Sequence, residues 1–317
     1  MLWAPTQGLP KEPHTLGELD DRNGPVKPAA FTYAAPTTLR DALDLLSEHA
    51  DDDTRLLAGG QSLVPVMNLR LSQPDFVIDL RRVTEIARIV VNADSVSIGA
   101  MVRMSQAEAS EDVARVAPML RQALRHVAHR TIRNSSTVGG SVAHADPAAE
   151  LPAVMLALEA EILVTGPGGE RAIPADDFFV GPFTTRLSAD EILTGVRITH
   201  RPGGQSFAEF ARTNGSFALV GVGVDLSLSA GRVDRVGIAM SGVGSTPVRA
   251  RAAEQVLLGA LPDDETVGRA AQAAGEEIRP VSDVHGSSQA RRETTNAYVR
   301  RGIEAALQAC SDTEGQA

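Results

Sequence analysis

Two short stretches combine glycine pairs with hydroxyl and amide side chains. They are Leu56-Leu57-Ala58-Gly59-Gly60-Gln61-Ser62-Leu63 and Thr137-Val138-Gly139-Gly140-Ser141. Glycine pairs let backbone N–H groups approach a charged ligand without a Cβ in the way. Gln61 and Ser62, at the start of a helical pattern, add donors that suit a pyrophosphate. Of the 30 lysines and arginines, only Lys11 and Lys27 are lysines, and none follows Pro28. That removes a Walker-type phosphate lysine and Schiff-base chemistry from the folded part. A phosphate ligand must then be held by backbone amides, hydroxyls and arginines. Gly59-Gly60 lacks the G-x-G-x-x-G spacing, so this is no Rossmann fingerprint. Taken alone, either turn also fits an ordinary left-handed connection between strand and helix.

The second stretch sits in a longer polar block, Thr131 to Glu150, with hydroxyls at Ser136, Thr137 and Ser141 around the glycines. Asp146 is placed to cap a helix that Pro147 starts. Glu150 then falls in the first turn, where a carboxylate can accept from ribose hydroxyls. A long capped loop with solvated polar groups is the competing reading. Arg133 serves equally as a phosphate neutraliser or a salt-bridge partner. His126 and His129, three apart on an expected helix, lack a carboxylate spaced with them, which favours a packing role over a metal pair. His144 beside the second glycines reads as a loop-structuring residue, ahead of proton transfer. The single cysteine, Cys310, excludes an internal disulfide, a Cys-based zinc site and an iron–sulfur cluster. Electron handling in this chain would need an organic cofactor.

The elements that position these residues follow from periodicity. A strand at Phe31–Tyr33 precedes a helix capped by Thr38 and running to Glu48. Arg55–Leu57 leads into the first glycine turn, and Leu63–Leu71 is helical before a strand at Phe76–Leu80. This is a β-α-β unit with its glycine turn at a strand's C-terminal end, where ligands commonly dock. Hairpins are expected at Ile86–Ala100, turning at Asn92-Ala93-Asp94, and at Glu161–Ile173. Met119–Ala128 is helical, and a strand at Ile192–Ile198 closes the region. After a break at Arg201-Pro202-Gly203-Gly204 come strands at Ala218–Ser229 and Val233–Ser241. Helices at Ala250–Leu258, Thr266–Ile278 and Arg292–Cys310 complete the chain. Residues 1–27 are polar, proline-bearing and aperiodic, an extended tail. At 317 residues, with 43% hydrophobic and 22% charged residues, the chain has ordinary globular composition. Its net charge of −10 argues against nucleic-acid or anionic-membrane binding. No apolar run spans a membrane and no secretory signal is present, so a cytoplasmic protein is expected.

The pair "LLAGGQSLVPVMNLRL" and "TIRNSSTVGGSVAHADPAAELPA", with "GVGSTPVRARAAE" and "PVSDVHGSS" further on, resembles the FAD-binding medium subunit of molybdenum hydroxylases. That family includes carbon monoxide dehydrogenase and the flavin portion of xanthine dehydrogenase. The resemblance implies an α+β fold: a two-subdomain FAD-binding unit of the vanillyl-alcohol-oxidase/PCMH type plus a C-terminal α+β domain. The divisions expected are 1–27 for the tail, 28–82 and 83–203 for the two subdomains, and 204–317 for the last domain. It also implies cofactor-binding roles, position by position. Ala58, Gly59, Gly60, Gln61 and Ser62 would contact the FAD pyrophosphate, as would Thr137, Val138, Gly139, Gly140 and Ser141. Glu150 would bind the nucleotide part, Leu193 would lie near the flavin ring, and Phe217 would cover one ring face. Gln61 stands where some related flavoproteins bond FAD covalently through histidine, so non-covalent FAD is expected. Glu209 departs from the lysine that some relatives carry. The partners implied are a large molybdenum-cofactor subunit and a small subunit with 2Fe-2S clusters, assembled as a dimer of heterotrimers. The chain would then pass electrons from the clusters to an external acceptor, with no catalytic residue for substrate oxidation of its own. A self-sufficient FAD oxidoreductase of the same fold, and a structural subunit with an empty nucleotide site, are the rival readings.

Overall fold

The computed structural model describes residues 27–282 and 286–314. The tail expected for 1–27 therefore lies outside the described residues except for Lys27, as do Asp283, Val284 and His285 of the "PVSDVHGSS" motif.

The first unit holds β1 (Thr32–Ala34), α1 (Leu39–Glu48), β2 (Thr54–Leu57), α2 (Leu63–Asn68) and β3 (Phe76–Asp79). Its strands form a parallel sheet in the order β1-β3-β2, with Leu57 opposite Asp79. Thr38 caps α1 by accepting from the Asp41 N–H at 3.1 Å, and Ala42 and Leu46 turn inward. Helix α2 stops at Asn68, short of the expected Leu71. The chain turns there through Arg70, whose φ is 56°.

The second unit surrounds an antiparallel sheet ordered β4-β5-β10-β6-β7. It runs through β4 (Ile89–Val91), β5 (Ser95–Gly99), α3 (Met104–Ala109), α4 (Glu111–Val116) and α5 (Pro118–His126). Then come α6 (Arg130–Arg133), α7 (Val138–His144), α8 (Glu150–Ala157), β6 (Glu161–Gly166) and β7 (Gly169–Pro174). Helix α9 (Ala175–Phe178), a small ribbon of β8 (Phe179–Gly181) and β9 (Thr184–Thr185), and β10 (Ile192–Thr199) close the unit. Every residue of α8 is buried, which fits a helix apolar all round and enclosed on every side. Leu151, Val154 and Met155 are fully buried, contributing about 1.5–3 kcal/mol each.

Three local expectations change here. The helix expected to Ala128 ends at His126, because Ala128 takes φ 41°. His129 becomes the cap of α6 and does not share a helix with His126. The helix expected from Pro147 begins at Glu150; Asp146 instead makes a turn, accepting from the Ala148 N–H at 2.9 Å. The second glycine pair is no turn at all. It forms the first turn of α7, capped by Thr137, whose Oγ1 accepts from the Gly140 N–H at 3.0 Å.

The third unit is an antiparallel meander of β11 (Gly204–Phe210), β12 (Val220–Ser229), β13 (Arg232–Ser241) and β14 (Val248–Arg249). Helices α10 (Arg251–Leu257), α11 (Asp264–Glu277) and α12 (Ser288–Glu314) follow. Strand β12 alternates Val220-Gly221-Val222-Gly223-Val224, and a strand's side chains alternate between faces. The valines join the core beneath α12 with Val299 and Ile303. The glycine face lets the second unit come close: a Cβ on Gly223 would sit 2.8 Å from Met119 Sδ, and one on Gly237 would sit 2.3 Å from the Ala157 carbonyl. Among the described residues no helix is long and apolar enough to cross a membrane.

Candidate functional site

The first glycine loop leaves β2 at its C-terminal end. Gly59, Gly60, Gln61, Ser62 and Leu63 offer backbone N–H groups that have no intramolecular acceptor among the described residues. Helix-start amides lack intrahelical acceptors, and here the run extends back through the glycine pair, leaving five successive N–H groups free for an acceptor. Gly60 needs its φ of 74°, which an ordinary side chain resists. Gly59 serves differently, since a Cβ there would lie 2.5 Å from the Ser135 carbonyl oxygen. The two loops touch backbone to backbone at that point. The Gln61 amide folds back onto the Gly59 carbonyl at 3.2 Å.

The second loop works by other means than bare amides. The N–H groups of Val138, Gly139, Gly140 and Ser141 donate to Val102 O, Ala100 O, Thr137 Oγ1 and Thr137 O respectively. Only Thr137, of these five, has a backbone N–H without such an acceptor among the described residues. The expectation of a second amide cradle is corrected accordingly: α7 is docked on the β5–α3 connection and uses its own first turn. Gly139 permits that docking, because its Cβ would fall 2.4 Å from that of Ala100.

Between the loops lies a cavity of about 290 Å³. Gly59, Gly60, Gln61, Ser62, Thr137, Gly140, Ser141, Glu150 and Phe217 all line it, together with Ser136, His144, Asp146, Gly215 and Ser216. Met104, Val127, Ala128 and Ile132 supply an apolar wall. Ala58 lies instead on an adjoining pocket of about 420 Å³ that Arg81 and Arg103 also line. Val138, Gly139 and Leu193 are not on the cavity lining; Leu193 is 2% exposed, in β10 and packed in the core. A larger recess of about 770 Å³ shares Asp146, Gly215, Ser216 and Phe217 with the cavity. Phe217, 68% exposed, stands at the boundary.

One buried acid, Glu150, lines the cavity, and another acid, Glu209, acts on it from outside the lining. Glu150 is 5% exposed and has no ion pair among the described residues. Burial, then the nearby Glu209 carboxylate, pushes its carboxyl up to about 8. Burial likewise raises Glu209, on β11, to about 7, and Glu209 Oε2 is buried without a hydrogen-bond partner among the described residues. His144 is held neutral, its pKa lowered by burial to about 4. Its ring lies 5.0 Å from that of Phe183. Arg133 is the salt-bridge member of its two alternatives: Nε meets Glu108 at 2.9 Å, and Nη1 donates to the carbonyls of Val127 and Ala128. His126 packs near Phe207 with centroids 5.7 Å apart, and His129 sits against Gly215.

Sequence patterns missed the contribution of Thr213–Ser216, where the Thr213 and Ser216 hydroxyls bond at 2.5 Å and Gly215 takes φ 82°. The tight "TNGS" was the available signal. They also missed β11, which carries Glu209 past α5, because its polar residues hide the strand alternation.

The chain is thus an α+β protein with a two-part FAD-binding architecture and a C-terminal α+β domain. Residues 29–200 match the family described as the FAD binding domain in molybdopterin dehydrogenase, and residues 205–306 match the CO dehydrogenase flavoprotein C-terminal domain. The nicotine 6-hydroxylase medium subunit of Paenarthrobacter nicotinovorans is 43% identical, covering 88% of this chain and 98% of that one. Among solved structures, carbon monoxide dehydrogenase from Hydrogenophaga pseudoflava matches with TM-score 0.87 and 35% identity, over 89% of this chain and 99% of the other. Quinoline 2-oxidoreductase from Pseudomonas putida 86 matches with TM-score 0.85 and 38% identity, over 90% and 99%. The chain belongs to the family of FAD-binding medium subunits of molybdenum hydroxylases.

Proposed function

We propose that this chain is the flavin subunit of a multi-subunit molybdenum hydroxylase. Partner chains would carry the molybdenum cofactor and 2Fe-2S clusters, in a cytoplasmic dimer of heterotrimers. The observation that carries the binding site is the run of unpartnered amides from Gly59 to Leu63, of which Gly59, Gly60, Gln61 and Ser62 line a cavity whose other side is Thr137, Gly140, Ser141 and Glu150. This donor set fits FAD. Successive N–H groups with the Ser62 and Ser141 hydroxyls suit a pyrophosphate, and the buried Glu150 suits a sugar or ribityl hydroxyl. When bound, FAD supplies a carrier that accepts electrons from one-electron donors on partner chains and delivers them to an external acceptor. The residues of this chain hold and shield it: Met104 and Ile132 exclude water on one side, and Phe217 caps the opening toward the larger recess. The neutral His144 adds no cation beside the phosphates. We assign residues 28–82 and 83–203 to the two FAD-binding subdomains and 204–317 to the C-terminal domain. Val138 and Gly139 support the site from behind by docking α7, and Leu193 lies behind it in β10.

A visible spectrum of the purified chain after addition of FAD tests the reading. Flavin bands that survive desalting are expected, and acid precipitation should release the flavin into the supernatant because no covalent link is formed. A chain that takes up no flavin overturns the proposal. Turnover of a substrate by this chain alone would instead favour a self-sufficient oxidoreductase.

A further inference from the structure

Glu209 lies outside the FAD-binding loops, yet it bears on them through Glu150. The two residues sit on separate elements, β11 and α8, and both are packed against α5. Glu150 is 5% exposed and lines the cavity. Glu209 has a carboxylate oxygen, Oε2, shut away from water with no donor to it among the described residues. A buried, unpaired carboxylate carries a large desolvation cost, and it avoids this by keeping its proton. Among the described residues no cation forms an ion pair with either carboxyl. His144, from α7, is neutral, and His126, from α5, has its pKa lowered by burial. Asp146, from the α7–α8 connection, adds a further carboxylate. Arg249, on β14 against the far end of α8, is committed to Glu254 and Glu159. Across β12, Asp225 is tied to Arg235. Arg291 of α12 donates to the carbonyls of Leu219 and Gly242.

We propose that Glu150 and Glu209 act as an electrostatically coupled carboxyl pair, in which the charge that Glu209 takes on first keeps Glu150 protonated so that Glu150 donates a hydrogen bond to an oxygen of the bound cofactor. The inference rests on FAD occupying this cavity. It makes Glu209 a positioning residue for cofactor binding, acting through Glu150 without touching the ligand. An FAD diphosphate brings negative charge and expels water, both of which further disfavour a second carboxylate charge. Binding above neutral pH therefore takes up a proton, and affinity falls as pH rises.

The test is FAD affinity of the full-length apo-chain between pH 6 and pH 9, followed by flavin fluorescence. For one linked proton the Kd of the natural sequence should rise up to roughly tenfold per pH unit above neutrality. Titration calorimetry at pH 8 in two buffers of different ionisation enthalpy should show uptake of about one proton. Glu150→Gln, permanently neutral and still a donor, should bind with a flat pH profile. Glu209→Gln should move the onset of weakening to lower pH, because Glu150 then loses its like-charged neighbour. A flat profile for the natural sequence, or no proton uptake, overturns the inference without needing any variant. An unmoved onset in Glu209→Gln removes Glu209 from the role. Failure to bind FAD at every pH overturns the site assignment itself.

Discussion

The glycines of the two motifs look equivalent in sequence and are not equivalent in space. Gly59 and Gly139 are needed because other backbone occupies the place of their Cβ, whereas Gly60 is needed for its φ of 74°. Gly59→Val should force the loop away from Ser135, cost at least about 1–3 kcal/mol of stability by overpacking, and abolish flavin uptake. Gly60→Val has only ordinary contacts, the nearest at 3.4 Å to Leu57 and Val64, and pays about 1–2 kcal/mol for its left-handed backbone. Gly60→Asn, which tolerates that conformation, should recover most of the loss. Thermal melts and flavin stoichiometry of the three variants check this ordering. The acids give a second prediction at this scale. Glu150 and Glu209 have folded-state pKa values above their usual 4.5, at about 8 and about 7. Their stability contribution is therefore complete below the unfolded pKa and lost as pH rises through the folded values. His144, lowered to about 4, acts oppositely, but only below its unfolded pKa of about 6.5. Urea unfolding of the apo-chain should thus show falling stability from pH 6.5 to pH 8.5, and Glu150→Gln should reduce the fall to the part that Glu209 contributes.

At the scale of elements, what could be read from the sequence was whatever is decided locally. Thr38 with its helix, the Gly166–Gly169 hairpin and the strand before Gly59 are all specified within a few residues, and each lies within a residue or two of its expected place. Helix α7 was misread because its starting signal is shared with distant chain. Thr137 caps it, but Val138 and Gly139 donate to carbonyls of Val102 and Ala100 on another segment, and nothing in "TVGGS" announces those acceptors. The site was legible as two motifs; its acid pair was not, since β11 and α8 had first to be brought against α5. The cap makes its own prediction. Thr137→Ala removes the bond to the Gly140 N–H and should cost about 1 kcal/mol. It should also weaken flavin binding, whereas Thr137→Ser should leave both near the natural values. Chemical denaturation midpoints and FAD titration read the two effects separately.

For the whole molecule, the question is how the third unit is held to the FAD-binding part. Glycines on β12 and β13 admit α5 and α8 to the sheet at backbone distance, and Arg249 closes the seam. Its side chain is 8% exposed and donates to Glu254 at 2.7 Å, to Glu159 at 2.9 Å and to the Leu156 carbonyl at 3.2 Å. Glu254 in turn accepts from the Ile238 N–H at 2.8 Å, fixing α10 to β13. Removing one member of a buried pair strands the other charge, at a cost of about 3–5 kcal/mol. Arg249→Met should therefore destabilise strongly and split denaturation into two transitions, with the C-terminal sheet losing its attachment to α8. Adding Glu254→Gln neutralises the stranded carboxylate while keeping an acceptor for Ile238. The double variant should recover much of the loss and restore a single transition, read by fluorescence of FAD and by circular dichroism together. Equal stability of the single and double variants would instead place the seam's strength in the glycine-face packing, where Gly237→Ala, aimed at the Ala157 carbonyl, becomes the more damaging change.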